Sequence, residues 1–198
     1  MNYLAHAYLS FNHEEILVGN MISDFVKGKK KFDYSSGIQK GIALHRAIDA
    51  FTDTHKATHA AKQCFRPAVG LYAGAFLDVV YDHFLANDRN EFADDKALLL
   101  FTQNTYSSLE KNAAVFPDRF QAMFPHMKQH NWLYNYQFNF GMEKSFGGLA
   151  RRAKYLNESA QVFEIFEKEH VHLKHYYEGF FPELKNYTKG LLKQILAA

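Results

Sequence analysis

Residues 66–89 read RPAVGLYAGAFLDVVYDHFLANDR, and from Pro67 to Ala86 the only formal charges are Asp78 and Asp82, with His83 beside them. Two carboxylates four residues apart lie on one side of a helix. In apolar surroundings an unpaired charge costs several kcal/mol, typically about 3 or more, so the strip requires a positive partner. The stretch is nearly long enough to span a bilayer, but two acids near its middle argue against that. What remains is a helix whose single polar strip faces a cation, either a metal ion or a buried Arg or Lys.

Composition carries the helical reading outward. A chain of 198 residues suffices for one domain with a full core, and 47% hydrophobic with 16% aromatic residues excludes disorder for most of it. Four Pro and 11 Gly leave few breaks and favour long helices. Periodicity predicts helices over residues 3–11, 15–26, 36–55, 63–86 and 94–111, with Pro117 opening a further one, PDRFQAMF. Residues 129–140 read as a short helix or irregular chain, and 142–155, 158–177 and 182–196 as helices. No Asn-Gly or Asp-Gly hairpin signal interrupts them. The expectation is an all-α, single-domain helical bundle over residues 1–198.

Composition also limits function. A net charge of +2 is too mild to imply nucleic acid. The one cysteine, Cys64, excludes an internal disulfide framework, fits a reducing compartment, and reads as a small core hydrophobe. The opening MNYLAHAYLSFNHEE has no basic n-region, so no signal peptide is expected and the location expected is cytoplasmic.

A second polar edge appears in GIALHRAIDAFTD, residues 41–53, where His45, Asp49 and Asp53 recur every four residues. Taken alone it also fits a solvated face, with Arg46 and Asp49 paired. GNMISDF, residues 19–25, sets Asp24 among apolar neighbours, although Ser23 or Asp24 also suits a helix cap. NYLAHAYL isolates His6 in the same way, as a core histidine would be. Seven of the ten Asp precede residue 90, so one shared cation within about residues 1–90 explains the four segments together. Imidazole plus carboxylate is the donor set of divalent transition metals, and facing helices are where bundles assemble it.

EKEHVHLKHYYE offers a rival, since Glu167/His170 and Glu169/His172 have the Glu-x-x-His spacing of di-iron bundles. The spacing is not repeated on another segment, which favours a hydrated helix surface. Basic residues border the proposed site: Lys27, Lys29, Lys30 and Lys31 follow Asp24, while Arg151 and Arg152 follow Gly147 and Gly148. Beside a metal they suit a phosphorylated or acidic partner.

NYLAH, GNxxxDF, GIxxHRxIDxFTD and LDVVYDHFL, and more loosely GLARR, resemble the bacterial acyl carrier protein phosphodiesterases. The resemblance implies an HD-domain-like relative of metal phosphohydrolases. Such an enzyme releases 4'-phosphopantetheine from holo-acyl carrier protein with Mn2+, or with Mg2+ or Fe2+. It implies metal ligands among His6, Asp24, His45, Asp49, Asp78, Asp82 and His83. On a mechanism in which metal-activated water attacks phosphorus, Asp24, Arg46 and His83 are expected to be catalytic, and Lys27, Lys29, Lys30, Arg151 and Arg152 to meet the substrate. The chain lacks an adjacent His-Asp dipeptide; His45-Arg46 and Asp82-His83 are the nearest equivalents. Competing readings are hydrolysis of a nucleotide or other small phosphoester, a non-enzymatic module binding protein or lipid, and a di-iron redox protein.

Overall fold

The computed structural model describes residues 1–153 and 159–197. The chain runs through α1 (Tyr3–Tyr8), α2 (Glu14–Ile22), α3 (Ser36–Thr54), α4 (Lys56–Val69) and α5 (Ala73–Ala86). It continues through α6 (Asp95–Lys111), α7 (Asp118–Gln129), α8 (Trp132–Asn135), α9 (Asn139–Arg152) and α10 (Ser159–Ala197). No strand occurs among the described residues, so the fold is all-α. Short 3-10 turns fill several connections, including Ser23–Phe25 and Gly28–Asp33.

The apolar stretch of 63–86 is not one helix. Gly70 ends α4 at φ +55°, a backbone conformation that side chains other than glycine adopt only with strain. The chain then turns outward through Leu71, which is 94% exposed, before α5 re-enters the core. From Val79 to Ala86 every residue of α5 is buried. Phe11 and Asn12, both at positive φ, stop α1 short of its expected end. Asp94 caps α6 by accepting from the Ala97 amide at 2.7 Å.

The reverse difference occurs at the C-terminal end, where Pro182 lies inside α10 and does not divide it. At 39 residues this helix is about 58 Å long, and its packing against α3, α4, α5 and α9 outweighs one lost backbone hydrogen bond. Phe180 stacks on Tyr81 at 5.0 Å, and the Tyr177 hydroxyl donates to Asp88 at 3.1 Å. Lys185 pairs with Glu91, which also accepts from the Tyr8 hydroxyl. Tyr155 and Glu158, the expected ends of two helices, lie outside the described residues.

The packing that builds the site is the crossing of α2 and α3. A Cβ on Gly19 would lie 2.1 Å from the Ile38 carbonyl oxygen, and one on Gly41 would lie 2.4 Å from that of Ile16. Glycine at both positions therefore lets the two backbones touch. Among the described residues no helix is long and apolar enough to cross a membrane. Cys64 is half-buried against the core, as expected of a small hydrophobe.

Candidate active site

The contact of α2 with α3 brings Asn20, fully buried, between two histidines. His6 Nδ1 lies 2.8 Å from the Asn20 side-chain oxygen, and His45 Nδ1 lies 2.7 Å from the Asn20 backbone oxygen. The amide's orientation follows from its nitrogen, which donates to the His6 carbonyl at 2.8 Å and to Ser10 Oγ at 3.1 Å. Carbonyl oxygens only accept, so both imidazoles carry hydrogen on Nδ1 and turn Nε2 forward. The rings stack at 3.9 Å, inclined by 15°. One residue thus orients two potential ligands, the second-layer arrangement typical of metal-binding histidines.

Both Nε2 atoms reach Asp49, His6 at 3.2 Å and His45 at 3.1 Å, and His45 also reaches Asp24 at 3.2 Å. His6, His45 and Asp49 each present a ligand atom within 4.8 Å of the others, and no other such group occurs among the described residues. Burial pushes the Asp49 carboxyl upward, but hydrogen bonds from His45 and His6 hold it well below the usual carboxylate range. Burial lowers His45 too, yet its contacts with Asp24 and Asp49 prevail and raise it to about 9. His6 falls to about 4 through burial and the neighbouring charge of His45. Two nitrogens and carboxylate oxygens with their lone pairs converging fit a divalent transition metal.

The α5 strip has a different fate. Asp78 lies 3.1 Å from the Met1 amino group, which also contacts Asp49 at 3.3 Å. Burial lowers that amine's affinity for its proton, but Asp78 and Asp49 outweigh it and raise the group to about 10. Asp82 accepts from the Leu4 and Ala5 amides at 2.7 and 3.2 Å, so both its oxygens cap the first turn of α1. His83, one residue on and so turned by about 100°, lies with Nδ1 2.7 Å from the Tyr136 carbonyl and its ring edge-on to Phe166. Burial lowers it to about 4.

Asp24 and Asp78 also line a cleft of about 1010 Å³, whose other wall is α8 and α9 with Arg151 and Arg152. A model of the family described as acyl carrier protein phosphodiesterase matches residues 1–184. The chain belongs to the acyl carrier protein phosphodiesterase family. Among relatives bearing that name, one from Serratia proteamaculans is 31% identical over 189 residues, covering 96% of this chain and 98% of its own. One from Photorhabdus laumondii is 29% identical over 182 residues, covering 92% of each chain. One from Yersinia enterocolitica is 29% identical over 195 residues, covering 98% of this chain and 100% of its own. No solved structure matches the chain.

Of the residues the motifs of this phosphodiesterase family single out, the structure brings His6, Asp24, His45 and Asp49 together and sets Asp78 beside them. It does not bring Asp82 or His83 to that cluster: backbone amides engage the one and an aromatic pocket holds the other. Arg46 is exposed and donates to the Val26 carbonyl at 3.3 Å, leaving Asp49 to the histidines. Asp53 pairs with Lys62 at 2.8 Å, a surface contact. Lys27, Lys29 and Lys30 are exposed on the turn after Asp24. His172, 73% exposed, pairs with Glu169 on its own helix, as a hydrated surface would, whereas His170 is half-buried with its ring edge-on to Phe84 and Phe166. Asn20 was legible only as the polar residue of GNxxxDF; its geometry gives it a role.

Proposed function

We propose that the chain hydrolyses the phosphodiester joining 4'-phosphopantetheine to a serine of holo-acyl carrier protein, releasing apo-acyl carrier protein. The observation that supports this reading is the convergence of His6, His45 and Asp49 beside Asp24, a residue of the cleft lining. These residues would hold a divalent ion, Mn2+ first and Mg2+ or Fe2+ as alternatives, with Asp24 and Asp78 flanking it. Such an ion lowers the pKa of water and neutralises charge on phosphoryl oxygens.

The chain's own residues supply orientation and charge. Asp24, with its side chain 70% exposed, accepts a hydrogen bond from the attacking water and aims it at phosphorus. Arg151 and Arg152, from the last turn of α9, offer charge-assisted hydrogen bonds to the nonbridging oxygens. Water oxygen bonds to phosphorus, the bond to the serine oxygen breaks, and that oxygen takes up the proton the water gives up. Lys27, Lys29 and Lys30 attract the acidic carrier protein at long range, an effect that salt weakens.

Mass spectrometry of holo-acyl carrier protein incubated with the enzyme and Mn2+ tests the reading. The expected result is loss of the 4'-phosphopantetheine mass, abolished by chelator, with no comparable turnover of a nucleotide panel. An unchanged carrier protein would overturn it.

A further inference from the structure

The cleft is far larger than a phosphate requires. Its volume of about 1010 Å³ reaches the upper end of small-molecule pockets, roughly 300–1,000 Å³. Its lining is mixed. Trp132, Tyr136 and Phe140 supply aromatic surface, while Asn2, Asn135 and Ser145 supply polar atoms. The Asn2 amide nitrogen donates to the Tyr136 hydroxyl at 2.9 Å, and that of Asn135 donates to the His130 carbonyl at 2.8 Å. Each nitrogen is thereby occupied and each side-chain oxygen is left to accept from a ligand.

Charge is arranged along the same cleft. Tyr3, Asp24 and Arg152 line it together, and burial pushes the Tyr3 hydroxyl up to about 12. Neither Arg151 nor Arg152 has an acidic partner among the described residues. The two guanidinium groups line the same cleft as Asp24, which contacts His45 at 3.2 Å, and the aromatic and amide residues share that lining.

We infer that this cleft holds the pantetheine arm of the substrate, its phosphate toward Asp24, Arg151 and Arg152 and its amides along Asn2, Asn135 and the aromatic wall. The inference rests on the phosphodiesterase reading and adds the arm's binding site to it. Pantetheine suits the lining because it is neutral and alternates amide and hydroxyl groups with short aliphatic runs. Buried amides need partners, and the asparagine oxygens are acceptors for their N–H groups. A nucleotide would instead bring a rigid base and a polyanionic chain.

Trp132 is the only tryptophan in the chain and lines the cleft, so its fluorescence reports occupancy. Ion-free protein is titrated with pantetheine, 4'-phosphopantetheine, AMP and inorganic phosphate, with calorimetry in parallel. Pantetheine should bind saturably, and 4'-phosphopantetheine about tenfold more tightly through its phosphate. Phosphate alone should leave Trp132 unchanged. Gly148→Leu provides an independent obstruction, because a Cβ there meets only the Arg151 guanidinium, at 3.9 Å, and leucine favours helix. That variant should keep its thermal stability, lose the pantetheine response, and raise KM for holo-carrier protein about tenfold. No binding of pantetheine to the wild type, tighter binding of AMP, or a wild-type KM in Gly148→Leu would overturn the assignment. Saturable pantetheine binding with carrier protein left uncut would sink the phosphodiesterase reading and leave the cleft assignment standing.

Discussion

Two helices carry the same polar spacing and use it differently. On α3, His45 and Asp49 lie one turn apart and face His6 and Asp24, side chains that offer donor atoms to a common point. On α5, Asp78 and Asp82 are also one turn apart, but Asp82 faces the open amides at the start of α1. A carboxylate opposite imidazoles becomes a ligand candidate; one opposite a helix N-terminus becomes a cap. The histidines diverge likewise. His45, among carboxylates, is raised to about 9, whereas His83, among aromatics, is lowered to about 4. What faces a helix assigns its polar residues their work.

The largest effect should come from exchanging the two carboxylates' fates. Asp49→Ala should lower kcat/KM for holo-carrier protein roughly a thousandfold or more, with the circular dichroism of the native fold retained. Asp82→Ala should keep measurable turnover but lose about 2–4 kcal/mol of stability, because two buried amides lose their acceptor. Equal loss of turnover in both at equal stability would break the distinction.

The histidine contrast is read by pH. His83 titrates near 6.5 when unfolded and near 4 when native, so between these values the unfolded chain takes up more protons. Its contribution to stability is present above pH 6.5 and is lost as pH falls toward 4, by up to about 3 kcal/mol. Asp82 opposes this, since burial raises its carboxyl to about 7 and its contribution is lost as pH rises through that value. The difference between wild type and His83→Gln isolates the imidazole, because glutamine keeps a donor for the Tyr136 carbonyl. Denaturant unfolding should show the gap changing steadily from pH 6.5 to 4 and flat above 7.

The smallest effect sharpens the role of Asn20. Asn20→Ala removes the acceptor of His6 Nδ1 but leaves the backbone oxygen that orients His45. Nitrogen NMR of ion-free protein should then find mixed tautomers at His6 alone, and Mn2+ affinity should fall about 10- to 100-fold. Unchanged affinity with a single His6 tautomer would remove Asn20 from the site.

Much of the fold was legible because apolar periodicity is a local property. The spacing of Ile38, Ile42 and Ile48 predicted α3 to within one residue of its end. Breaks were less so: Gly70 divides a stretch that reads as continuous, and Pro182 fails to divide one that reads as broken. Whether either residue interrupts a helix depends on the packing around it. In the candidate site, His6, Asp24, His45 and Asp49 stood out as polar groups in apolar motifs. Asn20 did not, since an asparagine's hydrogen-bond partners are not written in its neighbours.

From residue order alone came the all-α architecture, the motifs of the family, and a short roster of acids and imidazoles too costly to bury without partners. Only the packed chain separated that roster into a converging corner of His6, His45 and Asp49, a helix cap at Asp82, and an aromatic pocket at His83. The reason is physical. Helical spacing determines which side chains share a face, whereas the close crossing at Gly19 and Gly41 determines what that face meets.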